Sequence, residues 1–310
     1  MADAHGSGPC DHKSCGFESH HPHQEKRYSA EYRFLLLSEE NKEEMDNRPI
    51  GFFDSGLGGL TSVSALQSRL PKERVIYYGD TARTPYGSKS PETIRKFASQ
   101  IVDYLVSKDV KMVVIACNTV TSLALDDLRQ QHPELPIIGV IEPTVRKVVQ
   151  SHCPNVGIIA TKATIQSDVY ARLLHNLDPS IRTSSLACPA FVPLIEEGII
   201  DNEIMDLTIR YYMDDFVREN GFSHLILGCT HYPMIADNLK RIYPHMNLIS
   251  SSEAVIDEVE EVLAARDQFA EQRTEEDRFY ASDLSDNFIR MTDRLTEGKN
   301  SRIKLKKMEE

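Results

Sequence analysis

Val113-Val114-Ile115-Ala116-Cys117-Asn118-Thr119 and Leu225-Ile226-Leu227-Gly228-Cys229-Thr230-His231 decide how this chain folds. Each is an apolar run that ends on a cysteine followed by small polar groups, the pattern of a buried parallel strand entering a turn. A helix start follows each strand, so each cysteine falls at a strand's C-terminal end. Open α/β sheets hold their ligands there, and a helix N-terminus favours an anion. A single cysteine so placed most often only packs. Two in matching contexts point to two similar halves facing each other.

The rest of the composition is compatible with that reading. A chain of 310 residues, 41% hydrophobic and 26% charged, has room for two ordinary domains or one large one. Its formal net charge of -12 argues against a general nucleic-acid or anionic-membrane surface and favours small-molecule chemistry. Phe34-Leu35-Leu36-Leu37 is far too short to span a bilayer, and no apolar signal core follows the first charges. The expectation is a cytoplasmic protein whose six cysteines are mostly reduced thiols, as a catalytic cysteine requires.

Residues 1–48 are unlike the remainder. They hold His5, His12, His20, His21 and His23, then Cys10 and Cys15, then a charged stretch from Glu39 to Arg48. Low hydrophobicity without periodicity reads as a flexible extension. Cys10 and Cys15 lack a downstream partner pair at finger spacing, so no metal is expected.

From Ile50 onward strand and helix alternate. Ile50–Phe53 reads as a first strand running into Asp54-Ser55-Gly56-Leu57-Gly58-Gly59-Leu60-Thr61, a glycine turn able to bring N–H groups near an anion. A dinucleotide fingerprint is the nearest decoy, with Asp80 in the place of a ribose-binding acid. Thr61 at the third glycine position and the negative Asp54 weaken it. Val75–Tyr78 is a second strand, and the loop Gly79 to Gly87 is dense in hydrogen-bonding groups. Ser90-Pro91 caps a helix whose apolar face is Ile94, Phe97, Ala98, Ile101, Val102 and Leu105.

Further along, the expected elements are a helix near Ser122 to Gln130 and a strand Ile137–Ile141, with the first unit ending around Glu142-Pro143. A second unit supplies strand Val156–Ala160, a helix to about Asn176, strand Thr183–Ala187 and a helix from Asp201 to about Glu219. After Cys229 come a helix beyond Pro233, a strand near Leu248, an acidic helix from Glu253, a strand Arg278–Ala281 and a last helix Leu284–Leu295. Arg302, Lys304, Lys306 and Lys307 read as a solvated basic tail. Such alternation specifies α/β architecture with parallel sheets covered by helices.

Two opposed cysteines permit a disulfide, a metal site, a nucleophile with its resolver, or two acid/base groups on opposite faces of one substrate. Redox pairs usually lie close in sequence, and His231 is the only further metal ligand near Cys229 in the chain. The acid/base reading uses the duplication directly, because inverting a carbon centre needs one deprotonated and one protonated group flanking it. A thiol's ordinary pKa of about 8.5 lets thiol and thiolate coexist after modest tuning. Asp54 and His231 then stand as helpers, one per cysteine. Ser55, Asn118, Thr119, Thr230 and the Tyr86 loop would hold an ammonium and carboxylates. On its own Glu196 reads as a surface charge and Cys188 as core.

The Asp54–Thr61 turn, the Gly79–Gly87 loop, Ala116-Cys117-Asn118-Thr119, Val140-Ile141-Glu142-Pro143, Phe191 to Glu196 and Gly228-Cys229-Thr230-His231-Tyr232-Pro233 together resemble the glutamate racemases, in the same order and at compatible spacings. The resemblance runs from about Pro49 to Leu295. It implies a cofactor-independent racemase of L- and D-glutamate supplying peptidoglycan synthesis, and a homodimer. A racemase of another acidic amino acid, or a regulatory protein acting through its extension, is the alternative. By the resemblance Cys117 acts on the α-proton of D-glutamate and Cys229 on that of L-glutamate, with Asp54, His231 and Glu196 assisting. Substrate contacts carry over to Asp54, Ser55, Pro85, Tyr86, Gly87, Cys117, Asn118, Thr119, Thr161, Thr164, Cys229, Thr230 and His231. It further implies two α/β domains related by a pseudo-two-fold axis with the active site between them: 49–142 plus 252–297, and 143–251, preceded by the 1–48 extension and followed by a 298–310 tail.

Overall fold

Ten strands form two all-parallel sheets in a computed structural model that describes residues 46–286, 289–290, 292 and 303–308. The cysteines and histidines of the extension, and most of the last helix expected from Leu284 to Leu295, lie outside the described residues. The first sheet is built from β1 (Ile50–Asp54), β2 (Val75–Gly79), β3 (Met112–Ile115), β4 (Ile137–Gly139), β9 (Arg278–Ala281) and β10 (Ile303–Leu305), in the order β10-β9-β2-β1-β3-β4. The second comprises β5 (Asn155–Ala160), β6 (Arg182–Ala187), β7 (His224–Gly228) and β8 (Asn247–Ser250), in the order β6-β5-β7-β8. Leaving aside β9 and β10, both sheets follow one topology: second strand, first, third, fourth. Cys117 and Cys229 follow the third strand of each set, so they occupy equivalent places.

Register brings the chemistry to one level. Asp54 pairs with Gly79 and Phe53 with Ile115, so the Asp54 turn, the Gly79 loop and Cys117 leave the first sheet together. Ala160 pairs with Gly228, so Thr161 and Cys229 leave the second sheet side by side. Successive strand residues point to opposite faces. Phe52 and Tyr77 accordingly join a core continuous with Ile158 and Leu225 of the second sheet. Phe53, Ile76 and Tyr78 pack on the other side.

The helices follow their end signals. After α1 (Leu60–Arg69) comes α2 (Pro91–Val106), where Ser90 accepts a hydrogen bond from the Thr93 N–H and Pro91 takes the first position; such a cap contributes about 1 kcal/mol. Helix α3 (Asn118–Gln131) starts directly after Cys117 rather than near Ser122. Strand β4 stops at Gly139 instead of Ile141, and Glu142-Pro143 lies in the first turn of α4 (Ile141–Gln150). Proline is tolerated there because the first-turn N–H groups have no intrahelical acceptor. The helix expected to run to Asn176 is divided into α5 (Lys162–Gln166) and α6 (Val169–Leu177) by Asp168, at φ 53°. Then follow α7 (Phe191–Glu196), α8 (Glu203–Asn220), a 3₁₀ turn at Tyr232–Ile235, α9 (Ala236–Ile242) and α10 (Ser251–Arg266).

The basic tail is not simply solvated. Ile303, Lys304 and Leu305 pair with Phe279, Tyr280 and Ala281 as β10, and the Lys306 carbonyl accepts from the Tyr78 hydroxyl at 2.8 Å. Among the described residues no helix is long and apolar enough to cross a membrane.

Candidate active site

A cavity of about 400 Å³ opens where the strand ends of the two sheets meet. From the first sheet it is lined by Ser55, Pro85, Tyr86, Gly87, Cys117, Asn118 and Thr119, and from the second by Thr161, Cys229, Thr230 and His231. Three residues named from the sequence stand behind its wall. Asp54 is fully buried, Thr164 is held by the Thr161 and Thr119 hydroxyls, and Glu196 lies beyond His231. Thr84, Lys89, Lys162, Gln166, Cys188 and Val192 also line it, without having been singled out as site residues. Cys188 is core, as expected, and yet also faces the cavity.

The two thiols have different companions. Cys229 Sγ is 3.8 Å from His231 Nδ1, and His231 Nε2 is 3.1 Å from Glu196 Oε1. Burial opposes a charge on this imidazole, but its bonds to Cys229 and Glu196 outweigh it and raise the pKa to about 10. His231 is thus an imidazolium at neutral pH, donating from both nitrogens. Cys117 Sγ instead donates to Ser55 Oγ at 3.6 Å. Burial, then the neighbouring Asp54 charge, pushes this thiol up to about 12, so it stays protonated at neutral pH.

Asp54 meets no thiol directly. Its Oδ2 accepts from the N–H groups of Gly56 (3.2 Å) and Gly59 (3.0 Å), while Thr230 donates to Oδ1 at 3.5 Å. Burial raises its pKa, against the lowering effect of His231 and the glycine N–H groups. Its influence on Cys117 is therefore one of charge. Asp80, the decoy ribose ligand, is buried too, committed to Arg83, Tyr86 and Ser282 in bracing the loop.

The glycine turn is needed for closeness. A Cβ at Gly58 would lie 2.2 Å from Thr230 Oγ1 and 2.7 Å from His231 Nδ1. Gly58→Ala should displace both; overpacking of this kind costs about 1–3 kcal/mol, and turnover should fall about tenfold or more while circular dichroism remains native. Unchanged turnover would mean that the Thr230–His231 segment yields freely.

Glu196→Gln removes one of the two groups holding the His231 proton. Imidazole NMR should show the wild-type ring titrating near pH 10 and the variant's at lower pH. The sign carries to stability: a folded pKa raised above the ordinary value of about 6.5 stabilises fully below that value, and the gain is lost as pH rises through about 10. Identical titrations in both proteins would remove Glu196 from this role.

Two thiols at equivalent strand ends of paired parallel sheets define a class, and comparison with known proteins agrees. The chain belongs to the Asp/Glu/Hydantoin racemase family, whose profile matches residues 61–265, and it is an isomerase. Its relatives there include the glutamate racemase of Geobacter metallireducens, 41% identical over 81% of this chain and 94% of that protein. The glutamate racemase of Sulfurihydrogenibium sp. is 45% identical over 69% of this chain and 82% of that one. Among solved structures, glutamate racemase from Francisella tularensis in complex with D-glutamate superposes with a TM-score of 0.80 at 37% identity, covering 86% of this chain and 99% of that one.

Proposed function

We propose that this enzyme interconverts L- and D-glutamate by a two-base mechanism that needs no cofactor. The observation that carries the reading is that Cys117 and Cys229, at equivalent ends of two parallel sheets, line one cavity. In the forward direction the Cys229 thiolate takes the α-proton of L-glutamate and becomes a thiol. The electron pair left on the α-carbon is delocalised into the α-carboxylate. The Cys117 thiol then delivers its proton to the opposite face, giving D-glutamate and a Cys117 thiolate; the reverse reaction exchanges the roles. A protonated Cys117 and an imidazolium beside Cys229 suit the forward start.

The cavity's charge supports an acidic substrate. Its charged lining groups are Lys89, Lys162 and His231, with no carboxylate among the described lining residues, in a chain of net charge -12. Hydroxyls of Ser55, Thr119, Thr161 and Thr230, the Asn118 amide and the Pro85–Gly87 segment would bind ammonium and carboxylates. Oriented donors in a water-poor site are the expected source of carbanion stabilisation. Asp54 tunes Cys117 through its charge, Thr164 braces Thr161, and Glu196 holds His231. The same reading makes the enzyme a cytoplasmic homodimer that supplies D-glutamate for peptidoglycan.

Incubation with L-glutamate in D2O without added cofactor tests this. Loss of optical activity together with α-deuteration is expected. Inertness toward both enantiomers would overturn the substrate assignment, and racemisation of aspartate instead would redirect it.

A further inference from the structure

Asn118 is 2% exposed, lines the cavity beside Cys117, and belongs to a buried hydrogen-bond chain that joins four elements. The Tyr170 hydroxyl, on α6, is 2.6 Å from Asn118 Oδ1. Asn118 Nδ2, on α3, is 3.1 Å from Ser251 Oγ, on α10. Ser251 Oγ is 3.1 Å from the Leu227 carbonyl, on β7.

The chain has one direction. A backbone carbonyl only accepts, so Ser251 must donate to Leu227; its oxygen then accepts from the Asn118 amide, whose own oxygen accepts from Tyr170. We infer that Tyr170 and Ser251 are positioning residues that fix which end of the Asn118 amide meets the substrate. One Nδ2 hydrogen is used by Ser251, and the second has no protein acceptor among the described residues. It remains for a ligand in the cavity. A flipped amide would present its oxygen to a carboxylate, replacing attraction by repulsion. Burial raises the Tyr170 pKa, which keeps its hydroxyl a donor.

The chain also ties the two cysteine-bearing strand ends. Asn118 follows Cys117 directly, and Leu227 precedes Cys229 by two residues. Tyr170 and Ser251 thereby act on both halves without touching the reacting carbon.

This inference rests on the glutamate reading, and its test separates the two. Racemisation is measured for wild type, Tyr170→Phe, Asn118→Ala and the double variant, with Ser251→Ala as a second disruption should Tyr170→Phe misfold. Tyr170→Phe should keep a native melting transition and lower kcat/KM about tenfold in both directions, the scale of one buried hydrogen bond. In the Asn118→Ala background the same substitution should add nothing further. An equal loss in both backgrounds, or none in either, would reduce Tyr170 to packing and overturn the inference. A readout free of substrate uses the Asn118 side-chain 15N–1H signals, assigned by their absence in Asn118→Ala. Two well-separated, slowly exchanging protons are expected in wild type, averaging in Tyr170→Phe. Signals unchanged by that substitution would overturn the inference even if wild type proved inert to glutamate, an inertness that by itself counts only against the substrate assignment.

Discussion

Cys117→Ser and Cys229→Ser will each lose racemisation by about 10³-fold, within the 10²–10⁴ range of a positioned acid or base. Serine keeps the shape of the thiol, but its hydroxyl is neither a base nor an acid of useful strength near neutrality. One missing partner stops inversion in both directions, because each direction needs a base on one face and an acid on the other. Both cysteines are buried, at 5% and 6% exposure, and the substitution is almost isosteric, so melting temperatures should hardly change. Cys188→Ser is the control. Its thiol also lines the cavity, is pushed up by burial and has no imidazole beside it, so racemisation should persist. Circular dichroism of L-glutamate over time decides the matter. A single Cys117 or Cys229 variant that racemises at the wild-type rate would end the two-thiol reading, and inactivity of Cys188→Ser would bring a third thiol into it.

Lys111→Met will cost about 3–5 kcal/mol of stability with little effect on turnover at moderate temperature. The ammonium is buried, ion-paired with Glu73 at 2.7 Å and donating to the Asp46 carbonyl at 2.8 Å and the Gln268 carbonyl at 2.7 Å. Glu73 in turn accepts from the Ala270 N–H at 2.7 Å. This knot fastens the approach to β1 and the stretch after α10 to the start of β3. Removing the cation leaves a carboxylate in the interior without its partner. For a domain of this size the melting temperature should drop roughly 2–4 °C per kcal/mol. Adding Glu73→Leu should recover part of it, since a buried pair replaced as a unit costs far less than one that is broken. Turnover is spared because Lys111 precedes β3 while Cys117 follows it. An unchanged melting curve would show that water reaches the pair.

Much of this architecture is written in local pattern, and the exceptions are physical. The strands ending at Cys117 and Cys229 are recognisable because continuous apolar runs suit sheets covered on both faces. The α4 helix escapes because Glu142-Pro143 resembles a break, although proline fits a first turn. Asp168 interrupts α5–α6 with a left-handed residue that periodicity does not mark. Strand β10 is three residues long and carries a lysine, as exposed edge strands often do, so it reads as tail. In the site, Glu196 is a surface charge by sequence and becomes meaningful only with His231 Nε2 3.1 Å away. Tyr170 and Ser251 carry no local signal at all, since their role comes from Asn118, which is distant in the chain.

The unequal use of the chain by the two sheets bears on biosynthesis. All four strands of the second sheet fall within one continuous stretch, Asn155 to Ser250, so that sheet can be completed while the ribosome is still adding the C-terminal residues. The first sheet closes only when β9 and β10 have emerged, because β9 is the outer partner of β2. Until then Val75-Ile76-Tyr77-Tyr78 has an open hydrogen-bonding edge on an apolar strand, the kind of surface that recruits other chains. The nascent protein thus depends on its last segment for protection against self-association, although that segment holds none of the reacting groups.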